Sequence, residues 1–376
     1  MDKFSKNCAL IIKSLLVTFA CLVYSCKQKI LPESPDKLYE KYRKSVVLIR
    51  NQYYYEVELS NGTSVYFTEL KNGEISDLYF DEDEARKNAN IVYGTGFFIS
   101  KEGEIATNRH VVSPEIDDAN VLTSLKIKFD DIKFKIQDDQ KDLTEKISNI
   151  DNYISINSNP IDFSSLQAWN DRKQTLDKER SKLSVLITAF DFEPSKSNIK
   201  NKSIFLGIAY DNTFVNKQTD FKECVLIKKS SEKDIDLALI QLKDKTTPQN
   251  IQVTFDFDDH NPNIKNRVAE KGDTFDINNQ IKINTKVYMI GFNYGFAVGN
   301  TAEGLKVQLT QGTVSQESDN KKVLYSIPSL EGSSGSPIID QWGNLVAINF
   351  AKIINTQSFS YGIPVKQLKR LKSDTQ

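Results

Sequence analysis

Histidine is scarce in this chain of 376 residues: there are two, His110 and His260. Any chemistry that needs an imidazole must use one of those positions. Cysteine is nearly as scarce. Of the four, Cys8, Cys21 and Cys26 fall near the N-terminus and only Cys224 lies in the body of the chain, so no disulfide framework can be drawn through a fold. The surroundings of Cys224, "KECVLIKK", read as a strand with no histidine near in sequence, and a small buried apolar residue is expected there rather than a nucleophile. An excess of either charge is also missing, because 49 Lys and Arg stand against 50 Asp and Glu for a net charge of −1. With no long basic run, that balance gives no electrostatic case for nucleic acid, and a protein partner or a modest ligand is the expectation. Long hydrophobic runs are absent too: the longest falls short of the roughly 20 residues that a spanning helix needs.

What is present is ordinary globular material, 39% apolar and 26% charged, enough for one large domain or two smaller ones. The start stands apart. Lys3, Lys6 and Lys13 precede or flank the uncharged run "SLLVTFACLVY" (Ser14 to Tyr24), which is the grammar of a signal peptide over residues 1–25. The run ends in "LVYSC", which resembles the lipobox of bacterial lipoproteins, with Tyr24 bulkier than the residue usual at that place. That resemblance implies a lipid attached at Cys26, an exported chain, and contact with a membrane of the bacterial cell envelope through the anchor, at the outer membrane or the periplasmic face in a Gram-negative cell. A plain signal peptide or an uncleaved anchor is the alternative.

Residues 26–44 read as a tether and a short helix, with Pro32 and Pro35 favouring an extended start. Strand-rich sequence follows. "SVVLIRNQYYYEVEL" and "SVYFTEL" flank the turn "NGT", and "YGTGFFIS", a turn at Gly103 and "IATNRHVV" read as strand, turn and strand. From about Ile127 to Phe190 the period changes. Ile136, Leu143, Ile147, Ile150 and Ile154, then Leu166, Trp169, Leu176, Leu183 and Ile187, recur at helical spacing on either side of Pro160. Two amphipathic helices in an antiparallel, coiled-coil-like hairpin are expected, either packing on each other or serving as a partner-binding arm. Short strands then resume with "SIFLGIAYDNTFV", "FKECVLIKK" and "DIDLALIQLK", and from "KVYMIGFNYG" to "NLVAINFAK" after a polar stretch. Frequent turns between short strands point to a barrel or a sandwich. Within the polar stretch, Asp256, Asp258, Asp259 and His260 lack the glycine and terminal glutamate of a calcium loop, so a solvated loop is expected and no metal or other cofactor is implied.

A serine hydroxyl needs a base to take its proton, usually a histidine oriented by a carboxylate. "GTGFFISKEGEIATNRHVV" carries His110 in a setting that resembles the trypsin-like serine peptidases of the chymotrypsin fold, closest to the bacterial HtrA/DegP-like branch. "DIDLALIQLK" is similar to the strand start that bears the acid of that family, "VYMIGFNYG" to its Ile-Gly turn, and "EGSSGSPIIDQWGNLVAINFA" to its nucleophile loop and following hairpin. The order His, Asp, Ser differs from that of the α/β-hydrolases and of subtilisin-type enzymes.

The resemblance implies two six-stranded antiparallel β-barrels, chymotrypsin-like, in a peptidase domain over 45–370, with the helical hairpin inserted at about 130–192. It implies Ser334 as nucleophile, His110 as base and Asp236 as orienting acid, Asp234 being the neighbouring rival. The backbone N–H groups of Gly332 and Ser334 would form the oxyanion hole. Protein or peptide substrates and no cofactor follow. Two departures matter. Animal-type trypsins have aspartate just before the nucleophile, paired with a newly cleaved N-terminus, and here that residue is Ser333. The resemblance is to the HtrA-like branch, and the PDZ module of many of its members is not expected after the barrels. "SIPSL" offers no aspartate to a cationic side chain, so a small or medium apolar P1 residue is expected. The rival reading is a non-catalytic binding or scaffold lipoprotein on the same fold.

Overall fold

The computed structural model describes residues 32–71, 73–156, 162–255, 257, 282–352 and 359–374. The leader, Cys26, Pro160, Asp256, Asp258, Asp259 and His260 lie outside them. The chain opens with helix α1 (Pro35–Tyr42), strands β1 (Val46–Glu58) and β2 (Ser64–Phe67), a two-residue ribbon β3–β4 (Leu70–Lys71 with Glu74–Ile75) and helix α2 (Glu82–Lys87). Then come β5 (Asn90–Phe98), β6 (Glu104–Thr107), the one-turn helix α3 (Arg109–Val112), and the long helices α4 (Asp118–Ile156) and α5 (Phe163–Ala189). Strands β7 (Asn198–Tyr210), β8 (Lys222–Lys229) and β9 (Ala238–Leu242) follow. The C-terminal part holds β10 (Lys286–Gly291), the short helix α6 (Gly295–Gly299), a ribbon β11–β12 (Asn300–Thr301 with Gly304–Leu305), β13 (Gln308–Gln316), β14 (Val323–Tyr325), β15 (Pro337–Asp340), β16 (Leu345–Lys352), β17 (Ser360–Pro364) and α7 (Val365–Ser373).

The strands make two closed rings of six, as expected from the resemblance. In the first the order is β1-β5-β6-β9-β8-β7, closed by pairing of β1 with β7, and β2 adds to the outer side of β1. In the second the order is β10-β13-β14-β17-β16-β15. Closure leaves no free edge in either ring, which is how an antiparallel sheet of this size satisfies its backbone groups. β17, in "SFSYGIP", was not legible as a strand because its serines, glycine and proline dilute the β signal, yet it pairs with both β14 and β16. Without it the second ring could not close.

The described residues within 1–50, 93–112 and 206–376 form one compact unit, and those within 51–92 and 113–205 form another. In the first unit, Val47, Ile49, Phe98, Ile105, Ile208, Ala238 and Ile240 fill one barrel core, while Val287, Met289, Val314, Val323, Tyr325, Ile338 and Ala347 fill the other. Alternate residues of β1 and β10 point inward, as the two-residue period of a strand requires. Cys224 belongs to the first of these cores; burial pushes its thiol up to about 12, so it packs as an inert apolar group. Helix α1 docks on the same unit through buried Leu38 and Tyr42, and the Tyr42 hydroxyl donates to the Gly343 carbonyl at 2.7 Å.

In the second unit the helical region begins at Asp118 rather than near Ile127. Val121, Leu122, Leu125 and Phe129 extend the helical spacing backward and pack with Tyr53, Tyr55, Phe67, Phe190 and Phe192. This aromatic cluster anchors the hairpin. Further along, Ile147, Ile150 and Leu176 close a small seam of their own, flanked by Leu143 and Ile154. Gln140 ties the helices together, its Nε2 donating to Ser184 Oγ at 2.7 Å. Trp169, placed in the seam by its spacing, is instead partly exposed and lies against Tyr153.

Candidate active site

The segment "IATNRHVV" was expected to be one strand with His110 at its end. The strand stops at Thr107, and His110 sits in the single turn α3. Register explains its neighbour. Antiparallel pairing of β6 with β9 sets Thr107 opposite Ala238, so residues just after Thr107 meet residues just before Ala238. His110 thereby meets Asp236.

The contact is double. The His110 backbone N–H donates to Asp236 Oδ1 at 2.9 Å, and its ring Nδ1 stands 2.5 Å from Oδ2. A carboxylate can only accept, so Nδ1 carries the proton and Nε2 is left with its lone pair. Burial raises the Asp236 pKa, but the hydrogen bonds and charge of His110 outweigh it, with a smaller contribution from Arg109, and the carboxyl lies below its ordinary range. It stays ionised beside the imidazole.

Neighbours in the same motif hold the acid in place. Asn108 Nδ2 donates to the Asp236 carbonyl at 2.9 Å. The buried Arg109 donates through Nη1 to the carbonyls of Ser230 and Glu232, at 2.8 and 3.0 Å, and through Nη2 to that of Lys233 at 3.1 Å. Three carbonyls on one guanidinium fix the turn that leads into Asp236, a fork geometry that lysine could not reproduce. Asp234, the rival, is exposed and paired with Lys321 at 2.8 Å. It does not face His110.

Ser334 lies between two glycines in the left-handed region, Gly332 at φ +85° and Gly335 at φ +87°. Both also need the absence of a side chain. A Cβ on Gly332 would stand 2.6 Å from the Phe292 carbonyl oxygen and closer still to Gly295, and one on Gly335 would stand 2.5 Å from Thr107 Oγ1 and closer still to the Thr95 carbonyl oxygen. Only glycine permits that approach of backbone to backbone. Among the described residues no acceptor meets the N–H of Gly332 or of Ser334.

Thr95 is the clamp between the loop and the first barrel. Its N–H donates to the Ser334 carbonyl at 2.8 Å, its hydroxyl donates to the Gly332 carbonyl at 2.8 Å, and the same hydroxyl accepts from Phe292 N–H at 3.0 Å. Thr107 Oγ1 in turn donates to the Thr95 carbonyl at 2.8 Å. The loop bearing Ser334 is thus bound to β5 and β6, and β6 runs three residues later into His110.

Beneath the loop, Ser333 is fully buried. Its hydroxyl donates to the Leu330 carbonyl at 2.6 Å, accepts from Leu330 N–H at 3.0 Å, and lies 3.1 Å from Ser329 Oγ. Asn349, fully buried on β16, donates from Nδ2 to Ser329 Oγ, the Ser333 carbonyl and Ser333 Oγ at 2.9, 3.0 and 3.1 Å. The Tyr325 hydroxyl donates to Asn349 Oδ1 at 2.7 Å. Where animal-type trypsins have a charge pair, this chain has a neutral network.

Thr95, Arg109, Tyr325 and Asn349 were not singled out from the sequence. Signals existed for two of them: a threonine between two glycines in "YGTGFF", and an asparagine in the middle of the apolar strand "LVAINFA". Of the stretch expected to shape substrate preference, Ile327 points into the barrel core and Ser329 into the network. Among the described residues no group of three His, Cys, Asp or Glu could hold a metal ion, and no helix is long and apolar enough to cross a membrane.

The model of the trypsin-like peptidase domain family matches residues 94–348, more than half of the chain. No curated protein matches. Among solved structures, the chain is similar to the serine endoprotease from Yersinia pestis, with 13% identity and a TM-score of 0.39; the match covers 91% of this chain and 66% of that one. The chain therefore spans just under two thirds of the length of that protein.

Proposed function

The chain belongs to the trypsin-like peptidase family, and on that premise we propose that it is a serine endopeptidase acting on proteins or peptides through His110, Asp236 and Ser334. The observation that carries the proposal is the pairing of His110 Nδ1 with Asp236 Oδ2 at 2.5 Å, on a barrel clamped by Thr95 to the glycine-flanked loop of Ser334.

The chemistry follows from the parts. With Nδ1–H held by a partly buried carboxylate, His110 Nε2 is the free base that takes the Ser334 proton as Oγ attacks the scissile carbonyl. Negative charge develops on the carbonyl oxygen, and the N–H groups of Gly332 and Ser334 receive it. Each such donor is worth about 2.7–4 kcal/mol of transition-state stabilisation. The imidazolium, stabilised by Asp236, gives its proton to the leaving amine, and water then hydrolyses the acyl-enzyme by the same steps in reverse roles. We further propose export and anchoring at the bacterial cell envelope through lipid on Cys26, supported by the leader and its "LVYSC" end.

A fluorophosphonate probe tests the central claim, since it labels only an activated serine. Labelling of the wild type and none of Ser334→Ala is expected. Equal labelling of both proteins would sink the assignment.

A further inference from the structure

Ser334 N–H belongs to the peptide plane that joins Ser333 to Ser334, and the carbonyl of that same plane is the Ser333 carbonyl. Because the plane is rigid, holding the oxygen aims the N–H. Two donors hold it: Ser336 N–H and Asn349 Nδ2, both at 3.0 Å. Asn349 is itself fixed from three sides. Its backbone N–H donates to the Ser336 carbonyl at 2.9 Å, its own carbonyl accepts from Gly335 N–H at 2.8 Å, and its side-chain Oδ1 accepts from the Tyr325 hydroxyl at 2.7 Å.

We propose that Asn349 is a positioning residue for the reaction: its side-chain amide orients the Ser333–Ser334 peptide so that the Ser334 N–H points at the developing oxyanion, and Tyr325 sets the orientation of that amide. The inference rests on the peptidase reading of Ser334. Three features single out Asn349. It is the only side chain among the described residues that donates to the Ser333 carbonyl. It is fully buried in a strand whose neighbours Ala347 and Ile348 are apolar and buried, so a polar side chain there needs partners, and every partner of its Nδ2 lies in the Ser329–Ser333 stretch. Tyr325 is fixed as the donor in its contact with Asn349 Oδ1, since an amide oxygen can only accept.

The roles of the two amide atoms are distinct, and so are the variants that test them. Asn349→Asp keeps size and shape but removes both Nδ2 protons, replacing a donor to the Ser333 carbonyl with an acceptor that repels it. Tyr325→Phe leaves Nδ2 in place and removes only the hydroxyl that orients it. Because the oxyanion forms only in the transition state, a misaimed N–H lowers kcat and leaves KM nearly unchanged.

The experiment measures kcat and KM on a fluorogenic peptide taken from a library hit, and the rate of fluorophosphonate labelling, for wild type, Asn349→Asp, Tyr325→Phe and the double variant, each confirmed folded by thermal unfolding. Asn349→Asp should lower kcat about 10²-fold, near the lower end of the loss from removing an oxyanion donor, with KM within about threefold. Tyr325→Phe should lower it less, and the double variant should be no worse than Asn349→Asp, because both act through one group. Should Asn349→Asp fail to fold, Tyr325→Phe alone carries the test, and an unchanged kcat then overturns the proposal. Multiplying losses in the double variant, or a loss confined to KM, would overturn it as well. A wild type that takes no label would overturn the peptidase reading itself, and with it this inference; a labelled wild type with unaltered variants would overturn the inference alone.

Discussion

Replacing Thr95 with valine removes one oxygen atom and nearly preserves shape. That oxygen donates to the Gly332 carbonyl at 2.8 Å and accepts from Phe292 N–H at 3.0 Å, and Thr95 is fully buried. The change leaves a carbonyl and an N–H without a partner in a place water does not reach. Each unsatisfied buried group costs about 1–3 kcal/mol, so Thr95→Val should destabilise by about 2–6 kcal/mol in all. Thr95→Ser is the internal control, because it keeps the hydroxyl and loses one methyl group, worth about 0.8 kcal/mol. Packing alone predicts the reverse order, since valine fills the site better than serine. The assay is urea unfolding of both variants, followed by tryptophan fluorescence, with kcat measured alongside. Valine should shift the midpoint at unchanged slope by more than twice as much as serine, and it should also slow acylation, because the Gly332 carbonyl belongs to the loop that carries Ser334. A valine variant as stable as the serine variant, or more so, would refute the clamp.

Three further outcomes follow from the site and the leader. Asp236→Asn should lower kcat about 10⁴-fold, since an amide can present N–H to His110 Nδ1 and select the wrong tautomer. The same variant reports a pH linkage: the depressed pKa of Asp236 means that its contribution to stability is complete above the unfolded carboxyl value of about 3.9 and disappears as pH falls through the lower folded value. The stability gap between wild type and Asp236→Asn should therefore shrink as pH falls below about 4 in urea titrations; a gap that widens over that range would contradict the depressed carboxyl. Export in a bacterial host should yield a chain that partitions into detergent and whose mature N-terminal residue is lipid-modified Cys26, whereas Cys26→Ser should partition into the aqueous phase. Aqueous partitioning of both would remove the anchor.

Much of this fold could be read along the chain because barrels of this kind are built from local signals. Alternating β-branched and aromatic residues marked β1, β5, β7, β10 and β16, and glycines marked the turns between strands. Readings failed where tertiary context overrode the local pattern. The apolar residues after Thr107 suggest that the strand continues, yet the chain turns there, because Asn108 and Arg109 bond the backbone around Asp236. The start of α4 is obscured by polar residues among Val121, Leu122, Leu125 and Phe129, and these apolar residues are buried against aromatic rings from β1, β2 and the segment after α5. β17 has little strand propensity of its own and exists because two neighbouring strands leave an edge for it to fill.

The candidate site divides along the same line. Resemblance to the trypsin-like peptidases pointed to His110, Asp236, Ser334 and Gly332 as candidates, and of these the fold pairs His110 with Asp236. Linear sequence could not choose between Asp234 and Asp236 on physical grounds, since both lie on the same side of an extended segment; the register of β6 on β9 does, by setting Thr107 opposite Ala238. Nor could it assign Thr95, Tyr325 and Asn349, which lie far from Ser334 in sequence or on another strand. Their contacts arise from closure of two rings that bring Thr95 and Asn349 against the carbonyls of one loop and Tyr325 against Asn349, and a hydrogen bond between residues 16 or 237 positions apart leaves no trace in either local sequence.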